Sequence, residues 1–329
     1  LMNSPEELMG DVKAYMGIIY AGLIVTAAYN ALAAFLRALG DSKSPLYFLI
    51  ISAAINVVLD VVFIKFLGMG VEGCAYATVI AQAVSAVCCM VYIIKKYPIL
   101  HLEKKNFALR RGSFAKLLNL GIPMALQFSI TAIGTIIVQG AINVYGAVYM
   151  AGFSAAGKIQ NIICTVFVAF GATIATYVGQ NRGAGKMDRV KQGVRLTQMM
   201  ILVCSVVLMA VIHFFGKYMI FLFIDPAETE VLHAAEIYFN IVSWAYPFLG
   251  SIFLYRNALQ GMGYGFVPMM GGVFELVARA AIVFVAAANA GFAQVCMSDP
   301  AAWIAALIPL IPYYIWVMRK AEKSGQVEV

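Results

Sequence analysis

The chain has 329 residues, 63% of them hydrophobic and only 12% charged, with a net charge of +7 and a mean hydropathy of +0.87. Soluble domains carry roughly 45–50% apolar and roughly 25% charged residues, so this composition excludes an ordinary soluble fold. The positive balance does not indicate nucleic acid, because the basic residues sit in loops between apolar runs, where membrane topology accounts for them.

Nine apolar segments follow along the chain, near residues 8–38, 45–66, 70–95, 114–144, 148–180, 187–223, 229–262, 267–289 and 301–318. Runs of about 20 apolar residues cross hydrocarbon as helices, so the expected fold is an all-α polytopic membrane protein. No strand-like alternation of an outer-membrane barrel competes with it. The first two segments are joined by RALGDSKSP, a turn carrying Arg37 and Lys43. The second contains INVVLD, where Asn56 and Asp60 are four residues apart and share a helix face. A carboxylate there is costly, about 2.5–3.5 kcal/mol at mid-bilayer on insertion scales, and needs a partner or water. Spacing alone leaves two readings for the pair: a cation or proton site, or a structural hydrogen-bonded pair.

After the third segment comes a basic linker, 98–113. The next two segments carry Gln127, Gln139, Asn143, Lys158, Gln160 and Asn161, which either line a cavity or tie helices together. Further on, Arg256, Glu275 and Arg279 lie well inside apolar segments. Glu275 and Arg279 are four apart and can pair, with Arg256 and Lys158 adding positive charge nearby. That group reads either as a neutralised network holding helices together or as a site where Glu275 binds a cationic substrate or moves protons. Pro123, Pro247, Pro309 and Pro312 mark kinks or helix starts. The six cysteines read as small buried hydrophobes. GAGKMDRV lacks the phosphate-loop pattern and reads as a solvated turn.

Alternation through nine helices puts the basic loops on one face. They are the turn with Arg37 and Lys43, the linker, the loop with Arg182, Lys186, Arg189, Lys191 and Arg195, and the tail with Arg319, Lys320 and Lys323. The positive-inside rule makes that face cytoplasmic, with the C-terminus inside and the first residue outside. A repeat supports two bundles: LRALGDSKSP (36–45) aligns with LQGMGYGFVP (259–268), so Leu36, Gly40 and Pro45 fall on Leu259, Gly263 and Pro268. Both copies run the same way through the membrane, as in parallel-repeat transporters. The expected organisation is an incomplete N-lobe (1–97), the linker (98–113), a six-helix C-lobe (114–318) and a cytoplasmic tail (319–329). Equal lobes imply two pseudo-symmetric bundles, with nine helices present of twelve and three missing before Leu1.

LRALGDSKSP followed by NVVLD, GCAYATVIAQ, NLGIPMALQ, ATYVGQNRGAGKMDRV and RNALQGMG resemble the multidrug and toxic compound extrusion (MATE) transporters from about residue 5 to 318. GQNRGAG with GIPMALQ is the more specific part, and the match begins at the family's fourth helix. The resemblance implies a bacterial plasma-membrane antiporter that exports organic cations or amphipathic drugs by alternating access. It would be driven by Na⁺ or H⁺, with no cofactor, no nucleic acid partner and a monomeric state. It also implies that Asn56, Asp60 and Thr78 form an N-lobe cation site, whose further Asp would precede Leu1. The C-lobe stretches MALQFSITAIG and FLGSIFLYRN lack the carboxylates that other branches of the family carry there. The alternatives are a flippase for a lipid-linked or amphiphilic substrate, and an inactive fragment that transports poorly on its own. No His, Cys, Asp and Ser arrangement has the spacing of an enzyme's site.

Overall fold

A computed structural model describes residues 9–98, 111–289 and 291–324. Residues 1–8, most of the expected linker (99–110) and the end of the expected tail (325–329) lie outside the described residues. The chain divides into two compact units, Leu1–Leu109 and Arg110–Val329. Among the described residues, nine stretches of helix are long and apolar enough to cross a membrane, three in unit 1 and six in unit 2.

Unit 1 consists of α1 (Met9–Ala38), α2 (Lys43–Val61) and α3 (Gly70–Lys96). Most of the buried residues of α3 form a stripe at four-residue spacing, Gly73, Ala77, Ala81, Ser85, Cys89 and Ile93, with Ala75 and Ala86 buried beside it. Small residues on such a ridge let helix backbones approach closely, which substitutes for a hydrophobic drive inside lipid. Two hydroxyls fasten α2 to α3. Ser52 Oγ donates to the Ala81 carbonyl at 2.7 Å, and Ser85 Oγ donates to the Phe48 carbonyl at 3.0 Å. The expected second helix is not uniform. Immediately after Asp60 and Val61 the chain makes a π turn, Val62–Phe66, with Leu67 N–H reaching back to Val62 O at 3.1 Å. Such single-turn widenings collect at functional sites.

Unit 2 contains α4 (Arg111–Asn143), α5 (Ala147–Gly183), α6 (Met187–Ile220), α7 (Thr229–Val242), α8 (Tyr246–Gly261), α9 (Phe266–Asn289), α10 (Phe292–Cys296) and α11 (Ser298–Ser324). The 37-residue α5 is its axis, about 55 Å long at 1.5 Å per residue. Its buried stripe of Ala156, Ile159, Ile163, Phe167, Ile174 and Val178 packs with α4, α6, α7 and α8. The single helix expected over 229–262 is two, α7 and α8, separated by the 3₁₀ turn Ser243–Ala245. Pro247 is the physical reason: it lacks an N–H and crowds the carbonyl four residues back, so it sits in the first turn of a new helix. Pro123, Pro309 and Pro312 lie within continuous helices.

The turns at 36–41 and 259–264 have the same hydrogen bonds. Asp41 N–H reaches Leu36 O and Tyr264 N–H reaches Leu259 O, both at 2.9 Å; Gly40 and Gly263 donate to Arg37 O and Gln260 O at 2.9 and 2.8 Å. Gly40 (φ 87°) and Gly263 (φ 82°) take the left-handed conformation that closes a helix in this way. The weak sequence repeat is therefore a repeat of backbone geometry.

Candidate functional site

In unit 1 the antiparallel register set by the 48/85 and 52/81 bonds continues outward along α2 and α3. Asn56 Nδ2 approaches Thr78 Oγ1 at 3.4 Å, and Thr78 Oγ1 donates to the Cys74 carbonyl at 2.9 Å. The next turn of α2 presents Asp60, which that register places level with Cys74. Its Oδ1 is buried and has no hydrogen-bond partner. A carboxylate oxygen in that condition is an acceptor without a donor or cation, costly in an apolar setting unless something binds it. On the α1 side of α3, Thr26 hydrogen-bonds Gln82, extending the polar column. Sequence reading missed Thr26 and Gln82, although Gln82 stands one helical turn from Thr78. The donor set of carboxylate, amide and hydroxyl oxygens suits a hard monovalent cation, and the carboxylate alone suits a proton. Among the described residues, no group of three or more His, Cys, Asp or Glu side chains is arranged for a multivalent metal.

At one end of unit 1 a second carboxylate shows the opposite condition. Asp41, in the turn between α1 and α2, accepts from Ser44 N–H (3.0 Å), Ser44 Oγ (2.8 Å), Tyr92 OH (3.0 Å) and Tyr97 OH (3.0 Å). Lys96 Nζ lies 3.9 Å away. Burial pushes the Asp41 carboxyl up, but the bonds from Ser44, Tyr97 and Tyr92 outweigh it and hold the group down at about 2.

Unit 2 gathers its buried charges into one network. Arg256 on α8 pairs with Glu275 on α9. Arg279, one turn along α9, lies 3.8 Å from the same carboxylate and 3.2 Å from Asp299 on α11. Asp299 also accepts from Tyr238 OH of α7 at 3.0 Å. Glu275, Arg256 and Arg279 are at most 8% exposed, and two carboxylates balance two guanidiniums. Asp299 is the member that sequence reading left in a loop. Ser298-Asp299-Pro300 is a helix-opening sequence, and α11 indeed starts there.

The remaining predicted residues do not converge. Lys158, expected to add charge beside Glu275, is exposed; its ammonium lies 4.9 Å from the Phe223 ring centroid and forms no ion pair with Glu275. Its long side chain carries the charge out to a ring at the end of α6, as lysines in apolar segments do. Gln127 is buried and accepts from Gln260 Nε2 at 3.1 Å, joining α4 to α8. Gln139 and Asn143 bond each other at 3.1 Å on α4. Gln160 is buried with its Oε1 unpartnered, and Asn161 is exposed.

A family model described as MatE matches residues 1–62 and 123–285. The probable multidrug resistance protein YpnP of Bacillus subtilis is 32% identical over 267 residues, 80% of this chain and 58% of its own length. An FAD transporter of Shewanella oneidensis is 25% identical, over 79% of this chain and 58% of its own. The chain thus spans under two thirds of either relative. A solved structure of a MOP superfamily transporter from Pyrococcus furiosus superposes with a TM-score of 0.90 at 18% identity, covering 98% of this chain and 72% of that one.

Proposed function

The chain belongs to the MatE family, and from that premise we propose that it exports cationic or amphipathic organic compounds through the membrane in exchange for Na⁺ or H⁺. The observation that carries this reading is the Oδ1 of Asp60, buried and unpartnered beside the Asn56–Thr78 contact. In contrast, Glu275 and Asp299 are each held by arginine. A coupling carboxylate has to exchange its cation or proton during each cycle, so an open carboxylate serves and one fixed between two guanidiniums does not. Binding of the cation at Asp60 neutralises a buried charge and so favours one arrangement of the helices over another, which is the basis of alternating access. Asn56 and Thr78 supply the neutral oxygen ligands.

Within each unit the helix ends rich in Arg and Lys support a cytoplasmic assignment: Arg37 in the last turn of α1 with Lys95 and Lys96 of α3 in unit 1, and Arg182 of α5 with Lys323 of α11 in unit 2. A flippase for a phosphate-bearing lipid-linked substrate needs a strongly cationic cavity. Its support weakens because the buried arginines of unit 2 already have carboxylate partners.

Ethidium efflux from a transporter-deficient bacterium tests the proposal. Efflux above the empty-vector level that Asp60→Asn abolishes at equal membrane abundance is the expected result. Efflux that Asp60→Asn leaves unchanged, or none from the unaltered chain, overturns it.

A further inference from the structure

The basic end of unit 2 carries a chain of cations and rings that the export reading leaves unassigned. Arg182, in the last turn of α5, lies over the Tyr264 ring with its guanidinium carbon 5.4 Å from the centroid. Tyr264, in the turn between α8 and α9, meets Tyr313 edge to face at 5.6 Å, and Tyr313 stacks on Trp316 at 5.3 Å. Lys320 closes the series, its ammonium 5.5 Å from the Trp316 centroid. Positions 313, 316, 320 and 323 share one side of α11, so a single stripe passes from rings to the ammonium groups of Lys320 and Lys323 within about three turns. Trp316 is 51% exposed, and Lys320 and Lys323 are exposed. The carboxylate in the same turns, Glu322, is held by Lys191 of α6 at 2.6 Å.

We propose that this end of unit 2 is a docking surface for the headgroup of an anionic phospholipid, a phosphodiester that carries no ammonium of its own. Tryptophan and tyrosine rings settle where hydrocarbon meets headgroups. That depth sets Lys320 and Lys323, one and two turns beyond Trp316, at the level of the phosphates, where basic sites between helices hold anionic headgroups. The rings also decide which lipid is preferred. They already attract the protein's own cations through their quadrupoles. The trimethylammonium of a zwitterionic headgroup therefore meets like charge there, whereas a phosphate meets cations held in place in advance, at a reduced cost in side-chain entropy. Free phosphate meets the same cations but brings no acyl chains to the exposed Ile308 and Ile315 of α11. Binding here does not depend on transport or on Asp60.

The test is native mass spectrometry of the purified chain in a neutral detergent, titrated with phosphatidylglycerol or with phosphatidylcholine of the same acyl chains. Phosphatidylglycerol should bind about tenfold more tightly. Arg182→Gln and Lys320→Gln should each weaken it about fivefold, the scale of one basic residue at an anionic surface, and leave phosphatidylcholine binding unchanged. Lys320→Arg keeps the charge and should keep the affinity. Lys217→Gln, which removes a cation from the last turn of α6 at the far end of that helix, should leave the preference intact. Equal binding of the two lipids, or an equal loss in Lys217→Gln, overturns the docking surface and leaves the Asp60 reading standing. Inorganic phosphate at the lipid's own concentration should not displace phosphatidylglycerol; displacement would make this a free-phosphate site and overturn the lipid assignment.

Discussion

The two units carry the same turn geometry but opposite polar interiors. The offset that places Gly40 on Gly263 places Ser52 on Glu275, Asn56 on Arg279 and Asp60 on Val283. In unit 1 those levels run from a hydroxyl bonded to a backbone carbonyl, through an amide–hydroxyl contact, to an unpartnered carboxylate oxygen. In unit 2 they run from a carboxylate clasped by two arginines to an arginine shared between two carboxylates, and then to a valine. One scaffold therefore supports two electrostatic solutions. Charges that satisfy one another hold helices together, and a charge left unsatisfied is available to something that comes and goes.

The largest break in that contrast should come from Glu275→Ala. It strands Arg256 and Arg279 without their shared counter-charge, a loss of about 3–5 kcal/mol for removing one partner of a buried ion pair. Thermal unfolding in detergent should show it plainly. Asp60→Asn removes an unpartnered acceptor and should change stability by no more than about 1 kcal/mol. Next in size, Gly40→Ala and Gly263→Ala should each cost about 1–2 kcal/mol, because both positions hold a left-handed φ. Equal costs in the two units would sharpen the repeat; a large inequality would break it.

Tyr238→Phe should cost about 1 kcal/mol, since Asp299 keeps Arg279 when the phenol bond is lost. A separate, pH-dependent effect concerns Asp41. Its carboxyl sits at about 2 against an ordinary 3.8, so its ionised form is favoured by folding. That contribution is complete above about pH 4 and disappears as the pH falls through about 2. Acid titration of the melting temperature should show the loss over that window, and Asp41→Asn should abolish it.

Much of the architecture was legible in the sequence because hydrophobic run length and loop charge are local properties. The helices, the turn repeat and the Glu275–Arg279 pair needed only the spacing of residues. The breaks after Asp60 and before Pro247 are finer. The π turn sets Phe63 against Gly73 of α3, a packing relation no window of sequence displays. Asp299 was missed because its partners, Arg279 and Tyr238, are 20 and 61 residues away. Lys158 was misplaced for the converse reason: a position inside an apolar run does not say where a long, flexible side chain delivers its charge. Thr26 and Gln82 are ordinary polar residues on separate helices, and only packing makes them neighbours.

The most direct test of the contrast is the melting temperature of the purified chain as Na⁺ replaces K⁺ at constant ionic strength. Unaltered protein, Asp60→Asn and Glu275→Gln should be compared. A cation that binds only the folded form raises stability by mass action. The account predicts that Na⁺ raises the melting temperature of the unaltered chain and of Glu275→Gln, and that Asp60→Asn does not respond. A response that survives in Asp60→Asn and vanishes in Glu275→Gln would contradict it and move the exchangeable charge to unit 2.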